Sequence, residues 1–397
     1  MIYLGIDIAK TNHYGAFIND SGNTIGKSFK FTNSNEGFQL LLDNINQNTN
    51  DKNNLLIAME ATGHYWLALY SALIDHGYNV SVFNPFQIKG FRPAFSVRKV
   101  KNDKIDAVII ANYIRVFGSS STSLPQDNLL SLKQLTRYRK NQVDMIASLK
   151  TQIIGILDKV FPEYASVFTD TFGVTSTKIL LNASTPDEIL AFDSEKLAEI
   201  ISTASKGRFG IHKVETIKNL AKASFGIKYT LNACSFEIKQ MLNQIIFLES
   251  QIKEVEQAID NLYKKLDTHL LSIPGVGKVT APVILAEIGD INKFSKPSQL
   301  VAFAGIDPSE KQSGNQHSTD DKTSKRGSPF LRYAISCASL VAMSNVPEFR
   351  EYYLKKRKEG KHHRVALAGI SRKLITIIFY VLKENRDYRP YTVTTES

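Results

Sequence analysis

The sequence predicts an α/β domain with a mixed sheet, followed by an all-α remainder. Residues 1 to about 120 alternate short β-rich runs with helical periodicity. From Asp127 onward the apolar spacing turns helical and long. The 397 residues exceed one ordinary core, so several domains are expected. The boundaries read as 1–120, 121–268 and 269–385, with a disordered tail over 386–397.

In the first domain, IYLGIDIA (2–9), HYGAFIN (13–19) and TIGKSFKF (24–31) are β-rich runs split by turn residues such as Ser21-Gly22-Asn23. A helix follows, with Ser34 at its cap and a stripe of Phe38, Leu41, Leu42 and Ile45. NLLIAME (54–60) is a buried strand, GHYWLALYSALIDHG (63–77) a helix and YNVSVF (78–83) another strand. Three strands, a helix, then alternating strands and helices make a mixed sheet with helices on its faces.

Beyond Asp127, Val143, Ile146, Ile153, Leu157 and Val160 keep three–four spacing toward Pro162. Ile238, Met241, Ile245, Leu248, Ile252, Val255, Ile259, Leu262 and Leu266 hold it without a break. That pattern predicts coiled-coil helices and so a homo-oligomer; two core helices of a bundle fit the same spacing. Between them, 163–233 reads as a helical insertion without visible chemistry, its segment STPDEIL capped by Ser184 or Thr185. Residues 271–382 return to compact helix.

A net charge of +11 and a pI near 9.3 favour a polyanionic partner, most often nucleic acid. Cys234 and Cys337 stand far apart, which argues against a disulfide framework or a zinc site. The N-terminus reads as a strand and not as a signal peptide. The longest uncharged apolar run near the end, LITIIFYVL, is short for a membrane span. Together these predict a reducing, cytoplasmic setting.

Four carboxylates stand out. Asp7 lies mid-strand, opposite the face of Ile2, Leu4, Ile6 and Ile8, where a carboxylate is costly unless paired or metal-bound. Glu60 ends the next apolar strand. Asp103 and Asp106 share a helical face. Such a quartet can converge on two Mg²⁺ ions, with Mn²⁺ able to substitute, and clamp the attacking and leaving oxygens of a phosphodiester. Each acid also has a plain use: a turn residue at Asp7, a helix-entry charge at Glu60, dipole complements at Asp103 and Asp106.

In SIPGVGKVTAPVILAEIGD, Gly275-Val276-Gly277-Lys278 opens an apolar helix. Its glycines and the helix N-terminus suit a phosphate, in the manner of a helix-hairpin-helix element, and suit a tight helix–helix turn as well.

IYLGIDIAK, MEATGHYW and KNDKIDA together resemble the DEDD motifs of the insertion-sequence-110 family of transposases, relatives of the Piv site-specific invertases. Their N-terminal domain is similar to RuvC, with a ribonuclease-H-like order of elements. The resemblance implies that Asp7, Glu60, Asp103 and Asp106 are catalytic metal ligands. It extends to about residue 383 through Phe303-Ala304-Gly305-Ile306, Ser313-Gly314, Ser324-Lys325-Arg326-Gly327 and Leu331-Arg332. The 163–233 insertion carries none of it. Two positions depart: Lys311 precedes Gln312-Ser313, and Ser328 stands where the family tends to have Asn.

By the same resemblance, a serine of the C-terminal domain joins the acidic site in cutting and rejoining DNA. Ser313 is the nucleophile so implied, with Ser324 and Ser328 in reserve and Lys325, Arg326 and Arg332 as phosphate contacts. A structured guide (bridge) RNA is implied too, pairing with donor and target DNA. Two basic segments suit nucleic acid. One is 85–104, with Arg98, Lys99 and Lys101 among Phe86, Phe91 and Phe95; the other is 352–373. Gly275, Gly277 and Lys278 add a contact point.

The expected activity is RNA-guided recombination of double-stranded DNA, at element ends and target, by a homo-oligomer that is at least a dimer, with a tetramer fitting as well. A site-specific invertase and a Holliday-junction-type endonuclease using the carboxylates and water are the alternatives.

Overall fold

A computed structural model describes residues 1–95, 102–119, 127–307, 312–313, 316–317 and 323–390, with the backbone alone at 312–313 and 316–317. The chain divides after Leu124 into two compact units.

The first unit is a five-stranded mixed sheet in the order β3-β2-β1-β4-β5. Strands β1 (Ile2–Asp7), β2 (Asn12–Ile18) and β3 (Thr24–Thr32) form an antiparallel meander; β4 (Leu55–Glu60) lies parallel to β1, and β5 (Asn79–Phe83) parallel to β4. Helix α1 (Asn35–Asn48) starts at Ser34, whose side chain accepts from the Gly37 amide at 3.2 Å, as the sequence predicts. Helices α2 (Trp66–Asp75), α3 (Pro85–Phe95) and α4 (Asp103–Phe117) complete the unit.

Strand alternation divides the side chains between two cores. Leu4, Ile6, Ile8, Ile57 and Met59 meet Leu41 and Ile45 of α1 and Leu69 and Leu73 of α2. On the other face Ala58 and Phe83 pack with Ile88 of α3 and Ile109, Ile110, Tyr113 and Ile114 of α4. Asp7 and Glu60 fall on this second face.

The second unit is helical. Helices α5 (Asp127–Val160) and α10 (Leu231–Tyr263) pack side by side. Arg139 pairs with Glu256 and Gln142 bonds Gln251, so the two run antiparallel. The three–four seam on α10 is therefore filled from within the chain and does not of itself call for a second copy. At the far end of this pair sit α6 (Val174–Asn182), α7 (Pro186–Ala191), α8 (Ser194–Ser205) and α9 (Ile211–Lys222). Their Ile179, Ile189, Leu197 and Ile217 share a core with Ile153, Leu157, Ile238 and Leu242. Thr185, and not the buried Ser184, caps α7.

At the near end, Leu132, Ile259 and Tyr263 belong to the core of the C-terminal helices. The long helices and the C-terminal helices fall within the same compact unit. Those helices are α11 (Thr280–Ile288), α12 (Pro297–Ala304), α13 (Pro329–Asn345), α14 (Pro347–Lys358) and α15 (His363–Glu384). By length and composition α15 could cross a membrane, yet its Ile370, Leu374, Ile375 and Ile378 are core residues. Past the end of α15, Asp387 and Tyr388 make hydrogen bonds to the fold. His269 bonds the Asp387 carboxylate at 2.8 Å, and the Tyr388 amide donates to Ser272 Oγ at 2.8 Å.

Candidate active site

Asp7 is the last residue of β1, and its neighbours bring the other acids to it. In the parallel pairing of β1 with β4, Ile6 stands beside Met59, so Glu60 follows next to Asp7. Helix α4 lies against β1 because Gly5 has no side chain; a Cβ there would overlap the Ala107 carbonyl oxygen. That contact sets the first turn of α4, with Asp103 and Asp106, over the same end of the sheet. Asn102 caps the turn by accepting from the Lys104 amide at 3.1 Å.

Asp7 feels the charges of the other three acids. The Asp7 carboxyl is pushed up to about 7, first by burial and then by the charges of Asp106, Asp103 and Glu60. Arg92 opposes that rise. Its Nη2 lies 2.6 Å from Asp106 Oδ1. The two are not aligned as a hydrogen bond, and Oδ1 is otherwise an orphaned buried atom. Glu60 Oε1 accepts from Thr62 Oγ1 at 3.3 Å.

Among the described residues no three His, Cys, Asp or Glu side chains already stand close enough to chelate an ion. The donor chemistry nevertheless suits one. An all-carboxylate set of mutually repelling charges, with a buried oxygen lacking a proper donor, is the hard-oxygen environment that Mg²⁺-type cations prefer.

In the second unit the Gly275 hairpin precedes α11 directly, after only a 3-10 turn at Leu270–Ser272. Gly275 has φ +91°, and a Cβ on it would overlap the Ala338 carbonyl oxygen of α13. Gly275 is thus a packing residue. Gly277 faces open space, and its amide donates to Thr280 Oγ1 at 2.9 Å. Lys278 is exposed.

One of the three candidate serines, Ser328, bonds a buried glutamate. Ser313 closes β6 (Gln312–Ser313), which pairs antiparallel with β7 (Gln316–His317), so Ser313 stands opposite Gln316. Ser324 Oγ donates to Asp307, and Ser328 Oγ donates to Glu287 Oε2 at 2.8 Å. Ser328 also caps α13, accepting from the Leu331 amide at 3.2 Å. Both reserve hydroxyls are therefore engaged in the fold.

Glu287 itself is 2% exposed. It accepts from Arg137 and lies 3.8 Å from Lys133. Burial alone would raise its carboxyl, but the hydrogen bonds from Arg137, the charge of Lys133 and the bond from Ser328 hold it below its ordinary value. Lys133 is itself lowered, by burial and by Arg137. The closer Arg137 is thus the principal partner.

Gly305 (φ +67°) and Gly327 interlock, since a Cβ on Gly327 would overlap the Phe303 carbonyl oxygen. Arg332 Nη1 donates to the Ala304 carbonyl at 3.1 Å, which commits part of this expected phosphate contact to the fold. Arg326 is exposed, and Lys325 holds φ +52°. Arg98, Lys99 and Lys101 lie outside the described residues.

Sequence reasoning missed Arg92 and Glu287. Arg92 stood in the basic segment, but nothing local tied it to Asp106. Glu287 was a lone acid in the apolar run VILAEIG, a pattern that signals a buried partner.

Two protein-family profiles match the chain. One, described as a transposase with the DEDD domain, covers residues 4–162 and includes all four acids. The other, described as transposase of the IS116/IS110/IS902 family, covers 267–354 and includes the hairpin and the serine segment. Similar proteins match along nearly the whole length. The pilin gene-inverting protein of Moraxella bovis is 24% identical over 387 residues, 97% of each chain. The 44.8 kDa protein of insertion element IS116 of Streptomyces clavuligerus is 22% identical over 403 residues, 100% of this chain and 98% of the relative. The transposase for insertion sequence element IS1111A of Coxiella burnetii is 30% identical over 166 residues, 41% of this chain and 44% of that one.

The protein is a transposase, a DNA-processing enzyme of insertion elements. It belongs to the IS110/IS116/IS902 family. A DEDD transposase domain implies dependence on divalent metal in general.

Proposed function

We propose that the chain recombines double-stranded DNA by Mg²⁺-dependent strand exchange through a covalent serine–phosphate at Ser313. The observation that carries this reading is geometric: Asp7 and Glu60 end the paired strands β1 and β4, and Gly5 holds α4, with Asp103 and Asp106 in its first turn, against β1. Those four residues would hold the metal, which neutralises phosphate charge when bound. The sheet order β3-β2-β1-β4-β5, with acids ending β1 and β4, supports a RuvC-like, ribonuclease-H-like assignment of the first unit.

This chain's own groups have definite tasks. Asp7 and Glu60 are fixed by strand register, and Asp103 and Asp106 by the capped first turn of α4. Ser313 forms an O–P bond as the bond from phosphorus to a deoxyribose oxygen breaks; the serine proton leaves, and the departing oxygen takes one up. Attack on that phosphoserine by a hydroxyl of a second strand restores the serine and rejoins DNA. Ser313 is supported by the structural engagement of Ser324 and Ser328, whose hydroxyls are held by Asp307 and Glu287. The hairpin at Gly277-Lys278, together with Lys325 and Arg326, would contact phosphate. The guide RNA rests on the family resemblance and the basic balance of the chain, and the homo-oligomer on the need to handle two duplexes.

Inversion is a second reading, favoured by the full-length similarity to a pilin gene-inverting protein. A direct experiment recovers co-purifying RNA and supplies paired DNA substrates with Mg²⁺. A denaturation-resistant protein–DNA adduct is expected in the wild type and not in Ser313→Ala. An adduct of equal yield in Ser313→Ala would reject the serine, and cleavage with no adduct at all would favour a water-using nuclease. Deletion against inversion products distinguishes the two recombination outcomes.

A further inference from the structure

Helix α3 brings a guanidinium to the acid cluster. Arg92 Nη2 sits 2.6 Å from Asp106 Oδ1, and among the described residues it is the cation whose charge reaches Asp7. Its position is built. The preceding residue, Phe91, packs edge-on against Tyr113 and Phe117 of α4, with ring centroids 5.4 and 5.8 Å away. Ile88, one turn earlier, is buried in the same core. These anchors fix α3 on α4, so Arg92 is delivered to Asp106 by packing. Asp106 is 8% exposed, whereas the Arg92 side chain keeps about a third of its surface in solvent, 31%. The arginine therefore has room to leave; the aspartate does not.

A guanidinium cannot escape competition by losing its proton. If Asp106 ligates a divalent ion, the ion and Arg92 contend for the same oxygen. The misaligned contact, close in distance but not a proper hydrogen bond, is easily surrendered. Once freed, a planar fork of N–H donors next to the metal site matches the oxygens of a phosphate diester.

We propose that Arg92 is a resident counter-ion for the acid cluster, which yields Asp106 when a divalent ion binds and then contacts the scissile phosphate. This inference rests on the reading of the four acids as the metal site. It assigns Arg92 two successive partners: a carboxylate in the metal-free protein and a phosphate in the loaded complex.

The test uses full-length protein and Mn²⁺ as the probe, by titration calorimetry without DNA. Loss of one competing ion pair in Arg92→Gln should tighten Mn²⁺ binding roughly fivefold. At saturating Mn²⁺ the same variant should lower adduct yield about tenfold or more, because a charge-assisted phosphate contact is gone. Arg92→Lys, which keeps the charge without the fork, should hold Mn²⁺ affinity near wild type while still losing adduct. It serves as the deciding variant if Arg92→Gln fails to fold by circular dichroism. Unchanged or weaker Mn²⁺ binding in Arg92→Gln, or undiminished adduct in either variant, overturns the proposal. Asp7→Asn and Asp106→Asn separate it from the underlying reading. If neither weakens Mn²⁺ binding, the metal site itself is wrong; if they do and Arg92→Gln has no effect, only the role of Arg92 falls.

Discussion

Arg137 donates two hydrogen bonds to Glu287, from Nε to Oε1 at 2.6 Å and from Nη2 to Oε2 at 2.9 Å, across 150 residues of sequence. The same carboxylate takes the Ser328 hydroxyl, so one buried acid joins α5, α11 and the start of α13.

Replacing that acid should be costly and pH-dependent. Glu287→Ala is expected to lose about 2–3 kcal/mol, short of a fully buried pair because Arg137 is 41% exposed. The folded carboxyl lies below its unfolded value, so its contribution is complete above about 4.5 and is lost as pH falls through the folded value. Urea titrations of the wild type should show stability dropping in that acid window. Glu287→Gln should show a flatter acid limb, and an unchanged limb would contradict the assignment.

The glycines give a contrast in geometry. Gly5→Ala drives a methyl into the Ala107 carbonyl and should prise α4, with Asp103 and Asp106, off β1. A lowered melting temperature and lost strand cleavage are expected. Gly155→Ala on α5 meets nothing within 4 Å, and should stabilise by about 0.5–1 kcal/mol through helix propensity. Thermal melts of both variants provide the check.

Serine replacements should separate chemistry from architecture. Ser328→Ala removes a helix cap and a bond to Glu287, and should cost about 1–2 kcal/mol. Ser313→Ala should leave the melting temperature within error and abolish the adduct. If their effects were exchanged, the ranking of the hydroxyls would be reversed.

Asp7→Asn relieves like-charge repulsion in a half-buried position. In EDTA near neutral pH it should stabilise the protein by about 1 kcal/mol, while strand cleavage with Mg²⁺ disappears. A drop in stability would mean that Asp7 has a structural partner instead.

Much of this architecture can be read from local sequence. Strand alternation places Asp7 on the face opposite Leu4 and Ile6, and a serine followed by an apolar stripe marks the start of α1. Helix α3 was harder. Pro93 interrupts it, and its aromatic and basic residues obscure the period, so it reads as a charged segment. On α10 the spacing reveals a seam but carries no information about which helix fills it. Ser328-Pro329 was a legible cap signal, with proline at the first helical position, yet a hydroxyl near a basic run draws attention as chemistry. The pairing of Arg92 with Asp106 depends on how α3 and α4 pack, and no local pattern encodes it.

The antiparallel pair of α5 and α10 has a mechanical consequence. With 34 residues, α5 reaches about 51 Å, and its two ends belong to different cores. Helices α6–α9 hang on the distal end, in a stretch that falls between the two matched family regions. Substitutions in the distal core should therefore leave Glu287 and its partners at the proximal end untouched. The long pair works as a stem, separating what it carries from where it is rooted.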